Sequence, residues 1–321
     1  MLNGGALSRE TLVKVLEGKT AGYLSVFLGI FYPGLVIWTA AEITEVVYTF
    51  FLTLIVWYFL KNKKQVDLTK LIVLGVLISI LNLTRGNFIY LPFIFFPFLV
   101  LKAEKKLKGI GEFLIILGFS FLLPFAWGIR NQIRYGSFVI TASHGGQALY
   151  LGNNIYSNPL VYHSSKNQNY EKEFWNSLEE EDFIKRDAIL QKSAKKFILS
   201  NPTIFVKNTI LRYLLFWKPV QINLTGSTYF TDNLYVMDLF LIVSFFIACL
   251  FFLKKFFVNL GLYTVIFISL AYGLGYSITT VVKDARYRSP IMPLVIIIVS
   301  IFFVNVYNIL ISRRKHRKND V

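Results

Sequence analysis

Glu45 and Arg85 each sit inside a run of apolar side chains rather than beyond it. A charge held at membrane depth is costly, and it marks a functional candidate by default. Further charges border the apolar runs: Glu42 just before Glu45, and Lys283, Asp284, Arg286 and Arg288, with Tyr287 between the last two. Guanidinium groups clamp phosphate bidentately, and a carboxylate can act as a base or hold a cation. Carboxylates and cations brought to one place would therefore suit a phosphorylated substrate. Each residue also has a plainer reading. Arg288 can snorkel to lipid headgroups, Asp284 can pair with Arg286 or Arg288, and Glu42 can be a solvated loop residue.

The elements that must position these residues are membrane spans. The chain has 321 residues, 55% hydrophobic and only 16% charged. The apolar residues come in blocks close to the roughly 20 residues that match a bilayer core. About eight such blocks are predicted, at 21–40, 44–60, 68–84, 87–101, 110–129, 236–253, 259–280 and 291–311. The fourth contains Pro92 and Pro97, which neighbouring helices can accommodate. The expected fold class is an all-α membrane protein with a mixed external loop domain and interfacial amphipathic helices.

A net charge of +16 in a soluble protein would point to nucleic acid. Here the cations are clustered in alternate connectors: Lys61, Lys63, Lys64 and Lys70; Lys102, Lys105, Lys106 and Lys108; Lys254 and Lys255; and the tail Arg313, Arg314, Lys315, Arg317 and Lys318. That is the positive-inside pattern. It predicts a multi-pass protein of the cell membrane with both termini cytoplasmic, partnered by membrane lipids and not by nucleic acid. It also brings Glu42, Glu45, Arg85 and the 283–288 loop to the outer face. Cys249 is the only cysteine, and the three histidines are scattered, so neither a disulfide nor a His/Cys metal cluster is expected.

The expected organisation is a cytoplasmic segment over 1–20, five spans over 21–130, an external loop domain over 131–234, three spans over 235–311 and a basic tail over 312–321. Residues 1–20 hold Arg9, Glu10, Lys14, Glu17 and Lys19 and no apolar core. Within the external domain, residues 137–152 (SFVITASHGGQALYLG) read as short extended pieces around a tight turn. Residues 180–199 read as an amphipathic helix. Phe183, Ile184, Leu190, Ala194, Phe197 and Ile198 lie on one face, with Lys185, Lys192 and Lys196 opposite. Asn201-Pro202 predicts a helix start with Asn as cap and Pro at the first position. Both helices are expected to lie along the membrane surface.

Four stretches resemble the GT-C membrane glycosyltransferases, most closely the branch of protein O-mannosyltransferases and the lipid A aminoarabinose transferase. They are 21–52, with a Pro and then Thr-Glu at the outer turn; 83–97, LTRGNFIYLPFIFFP; 127–154, where W-x-x-R-N leads to G-G-x-x-L-x-x-G-N-N; and 284–293, DARYRSPIMP. The resemblance implies a transferase that takes a sugar from a polyprenyl-phosphate carrier. The acceptor is a glycan, lipid or protein at the outer face of the cell envelope. By it, Glu45 matches the family's second acidic position near the carrier phosphate and is the candidate catalytic carboxylate. Arg85 matches a basic residue facing the same cavity. Lys283, Arg286 and Arg288 belong to the cationic loop that would bind phosphate, supported by Glu42, Asp284 and Tyr287. A divalent metal is an open cofactor question, and no organic cofactor is expected.

The family's catalytic Asp lies in a first external loop after an N-terminal span, and nothing before Ala21 matches either. The expectation is therefore of a fragment, a short form or an inactive relative. It would bind the carrier but be weak or inactive on its own. The alternatives are a non-catalytic relative that binds the carrier or a partner subunit, and a transporter or flippase. A transporter would be expected to show matching repeats in its two halves, and the sequence shows no convincing repeat.

Overall fold

The computed structural model describes residues 19–40, 44–62, 67–141, 144–155, 157, 174–178, 181–219, 228–253, 260–280 and 287–319. Every element among these residues is a helix. Five helical segments are long and apolar enough to cross a membrane: Thr44–Asn62, Lys106–Tyr135, Tyr235–Phe252, Leu260–Thr279 and Ser289–Ser312. Three shorter apolar helical segments, Lys19–Phe31, Leu68–Thr84 and Gly86–Lys102, fall where the first, third and fourth blocks are predicted. Polarity runs inside out, as a bilayer demands. Tyr23, Phe27, Phe50, Leu114, Val243 and Leu250 are exposed, while Glu45, Ser79, Asn82, Asp238 and Arg288 are buried. The chain is an integral membrane protein.

The first block is two helices, α1 (Lys19–Phe31) and α2 (Pro33–Ala40). Pro33 has no N–H and disfavours helix at the residue before it, so the chain breaks at Tyr32. α3 (Thr44–Asn62) follows, and then α4 (Leu68–Thr84). The Asp67 carboxylate caps α4, accepting from the Lys70 amide at 2.9 Å. A 3₁₀ turn over Gly86–Phe88 leads to α5 (Leu91–Lys102).

The fifth block is longer than the sequence predicts. α6 (Lys106–Ser120) and α7 (Leu122–Tyr135) meet at Phe121, and α7 ends at Gly136, whose φ of 67° is left-handed. Pro124 explains the break, because it cannot donate to the Ser120 carbonyl four residues earlier. α4 satisfies the groups that are freed. Asn82 Nδ2 donates to Ser120 O at 3.3 Å, and Ser79 Oγ accepts from the Leu123 amide at 2.9 Å. A predicted loop boundary at 130 therefore falls inside a helix.

The described elements of the 131–234 section are all helices, joined by irregular backbone such as 136–141. α8 (Gly145–Gly152) stands where the second half of the predicted extended stretch was expected, which corrects that part of the reading. Its first turn is capped from a distance. Asp187 accepts from the Gly146 amide at 3.0 Å and from the Gln147 amide at 2.8 Å. A Cβ at Gly146 would run into the Asp187 backbone, so glycine permits this approach. α9 (Phe183–Ser200) carries Asp187 and is amphipathic as predicted, with Leu190, Ala194 and Phe197 buried and Lys185, Lys192 and Lys196 exposed. α10 (Pro202–Phe216) begins at Pro202, but Asn201 does not cap it. Its side chain instead donates back to Phe197 O at 3.2 Å.

The remaining spans are α11 (Thr228–Phe252), α12 (Leu260–Thr279) and α13 (Met292–Asn319), the last entered through a 3₁₀ turn at Ser289–Ile291. α12 is the most enclosed candidate span. It presents buried Tyr263, Tyr272 and Tyr276 to the interior.

Candidate functional site

The site lies at the end of the bundle formed by the start of α3, the turn after α4 and the last two turns of α12. α3 opens with Glu45, which is 3% exposed. α4 ends at Thr84, and Arg85 follows in extended backbone. This places Arg85 Nη1 2.8 Å from Glu45 Oε1, with Arg85 20% exposed and so still reachable from outside. The structure thus unites the two charges singled out by their place in apolar runs. Thr44 Oγ1 donates to the other Glu45 oxygen at 3.4 Å.

Tyrosines surround this pair. Tyr272 and Tyr276 are four residues apart on α12 and share a face. Their ring centroids are 5.0 Å apart, and Tyr48 of α3 is 6.0 Å from Tyr272. Tyr48, Tyr272 and Tyr276 are all within electrostatic reach of Arg85, and Asn87 stands beside the Tyr276 hydroxyl. Tyr90 Oη donates to Ala271 O at 2.8 Å. The hydroxyls of Tyr48, Tyr272 and Tyr276 are fully buried and make no hydrogen bond of normal geometry among the described residues. Burying a hydroxyl without a partner costs free energy. Three together form a compact, buried polar cluster, the tyrosine chamber, beside the Glu45–Arg85 pair. Phe88 and Phe216 wall it with apolar rings, each within 6.3 Å of Tyr272.

The cationic loop divides. Glu42, Lys283, Asp284 and Arg286 lie outside the described residues. The Tyr287 ring packs tilted against Tyr276 with centroids 5.2 Å apart, which joins the loop's end to the chamber. Arg288 is 1% exposed and faces elsewhere. It binds the Asp238 carboxylate of α11 and the Phe216 carbonyl, and donates to Lys218 O at 3.2 Å. Tyr32, at the break between α1 and α2, donates to the other Asp238 oxygen at 2.9 Å. One buried ion pair therefore ties the α1–α2 break, the end of α10, α11 and the entry to α13 together. Arg288 is therefore not a headgroup snorkel.

Sequence reasoning missed Asp238 and took Arg212 only as an interruption of an apolar helix. Both carried the signal that exposed Glu45, a charge inside an apolar run. Arg212 is 1% exposed and donates to Gly152 O at 2.5 Å and to Asn153 Oδ1 at 3.0 Å, which fastens α10 to the end of α8. Burial pushes its guanidinium down to about 10, so it stays charged at neutral pH.

Among the described residues no group of three or more His, Cys, Asp or Glu side chains forms a metal site. Glu45, already paired with Arg85, gives a divalent cation too few ligands by itself. The described residues therefore do not fit a metal. The arrangement suits anion recognition: one guanidinium oriented by a carboxylate, beside three buried tyrosine hydroxyls. No family model, no curated protein and no solved structure matches the chain.

Proposed function

We propose that the chain is a GT-C-like membrane glycosyltransferase. It takes a sugar from a polyprenyl-phosphate carrier and transfers it to an acceptor at the membrane face opposite the lysine clusters. On this reading the chain has eight spans and both termini in the cytoplasm, and the tyrosine chamber opens at the outer face. The observation that carries the reading is the Glu45–Arg85 pair, held among the buried hydroxyls of Tyr48, Tyr272 and Tyr276 with Arg85 still partly exposed. In the reaction, the bond from the sugar's anomeric carbon to the phosphate oxygen breaks, a bond to the acceptor oxygen forms, and the acceptor's proton passes to the departing carrier phosphate. Arg85 receives the charge that develops on the carrier phosphate, aided by Lys283 and Arg286. Glu45 orients Arg85, and the tyrosine hydroxyls donate to phosphate or sugar oxygens.

A specific feature favours a second reading, in which the chain binds the carrier without turning it over. A general base must be free to take the acceptor proton, and the Glu45 carboxylate is ion-paired. The test is to purify the chain and measure affinity for polyprenyl phosphate alongside transfer from polyprenyl-phosphate sugars. Losing a charged hydrogen bond costs about 1.5–3 kcal/mol, so Arg85→Ala weakens binding by roughly tenfold or more. Arg286→Ala acts in the same direction, and Lys315→Ala in the tail has no effect. Equal affinities for all three variants would remove the carrier site. Turnover that disappears in Glu45→Gln selects the transferase, and binding without turnover selects the second reading.

A further inference from the structure

α10 has two faces. Asn208, Thr209, Arg212 and Phe216 are buried against the protein. Ile204, Val206, Ile210 and Leu214 are 47–63% exposed, and Lys207 is exposed among them. A groove of about 610 Å³ follows this outward face, lined by Pro202, Thr203, Val206, Lys207, Ile210 and Leu211. Large apolar side chains exposed along one stripe call for a cover.

The contacts of the inner face show what that cover is. Arg212 is level with the end of α12, since its partners Gly152 and Asn153 meet Thr280 and Ile278. Farther along α10, the Tyr213 hydroxyl reaches Leu270 O, and Phe216 lies against Gly273 and Tyr276. α10 therefore descends beside the last turns of a membrane span, and its outward side at that depth faces away from the protein. At 1.5 Å per residue, Lys207 lies about 10 Å back along the helix from Leu214. The cation sits toward the water, and the apolar positions 210 and 214 sit toward the bilayer. This is the order of phosphate and acyl chain in a lipid. Lys185, Lys192, Lys195 and Lys196 on the preceding helix add exposed positive charge.

We propose that the outward face of α10 is a binding seat for an anionic phospholipid. One acyl chain lies against Val206, Ile210 and Leu214, and the headgroup phosphate rests on Lys207. This seat is separate from the tyrosine chamber and does not depend on the proposed transferase activity.

The test uses the full chain with Cys249→Ser and a single fluorophore-labelled cysteine at Ile210→Cys. It is reconstituted into phosphatidylcholine vesicles containing a low fraction of spin-labelled phosphatidylglycerol or, separately, of spin-labelled phosphatidylcholine. Spin-labelled phosphatidylglycerol quenches the probe at least twofold more than phosphatidylcholine at equal mole fraction. The preference disappears in Lys207→Gln, while Lys315→Gln retains it. A second probe at Leu214→Cys reports the same preference, so one perturbed position does not decide the result. Quenching by aqueous iodide in place of lipid would overturn the proposal, because the face would then be in water. Protection from both quenchers would overturn it in favour of a protein cover. Equal quenching by the two lipids, or a preference that survives Lys207→Gln, would overturn the specific seat.

Discussion

At the scale of single residues, the molecule spends its buried charge on two different jobs. Glu45 and Arg85 pair where Arg85 keeps an opening to the outside, whereas Arg288 and Asp238 pair with both partners 1% exposed. The first pair can be broken by a competing anion, and the second has no route to one among the described residues. Removing one partner of a buried pair leaves an uncompensated charge and costs about 3–5 kcal/mol. Asp238→Ala is therefore expected to lower stability in detergent sharply, while Tyr32→Phe, which removes one donor to a charged acceptor, costs about 1.5–3 kcal/mol. Replacing both members, Asp238→Leu with Arg288→Met, recovers part of the loss. The recovery is incomplete because the Phe216 and Lys218 carbonyls lose their donor. Thermal unfolding of the wild type, Asp238→Leu, Arg288→Met and the double variant forms a double-mutant cycle that reads the coupling, and strictly additive losses would mean the pair is not an energetic unit. The sequence made Glu45 and Arg85 legible because a charge among apolar residues is conspicuous. Tyr48, Tyr90, Tyr272 and Tyr276 were not legible, since a tyrosine in a span is ordinary and only folding brings these four together.

At the scale of elements, helices here end where the chain removes a donor, and a neighbouring helix satisfies what is left. The α6–α7 break is the clearest instance. Pro124 orphans the Ser120 carbonyl inside an apolar layer, and Asn82 of α4 supplies the missing hydrogen bond. Asn82→Leu is expected to cost about 1–3 kcal/mol, the penalty for an unsatisfied buried acceptor. In a Pro124→Ala background the new amide at 124 can donate to Ser120 O, so the same Asn82→Leu change costs distinctly less. Unfolding midpoints of the two pairs decide the matter, and an equal loss in both backgrounds would refute the account. The same logic explains what could be read in advance. Pro33 and Pro202 both set helix starts through their own backbone, but only the start at Pro202 was read in advance; the break at Pro33 fell inside a single predicted block, and Tyr32 as a buried partner was not foreseen. α8 was misread because its Gly-Gly start looks like a break. The carboxylate that converts it into a helix start, Asp187, comes from 41 residues farther along the chain.

At the scale of the whole molecule, lysine-bearing helix ends and the Glu45–Arg85 pair lie at opposite ends of the helices that carry them. Lys61 closes α3 and Lys102 closes α5, so these helices carry lysine at the end far from Glu45 and Arg85. The chamber, by contrast, is assembled from the start of α3, the turn after α4 and the last two turns of α12. Its walls come from segments distant in sequence, and their apolar periodicity foretold the spans but not which of them meet. Cytoplasmic connectors are enriched in Lys and Arg, so the lysine ends are predicted to face the cytoplasm and the chamber the outside. Single cysteines at Ser164 and Ser312, each introduced after Cys249→Ser, test this in intact cells with a membrane-impermeant thiol reagent. Ser164 lies in the long section between α8 and α9, and Ser312 lies in the basic stretch of α13. Labelling at 164 and protection at 312, reversed for neither in well-folded protein, is the expected outcome. Labelling at 312 with protection at 164 would invert the molecule and put the chamber in the cytoplasm. A carrier-linked sugar presented at the outer leaflet could not then reach Arg85.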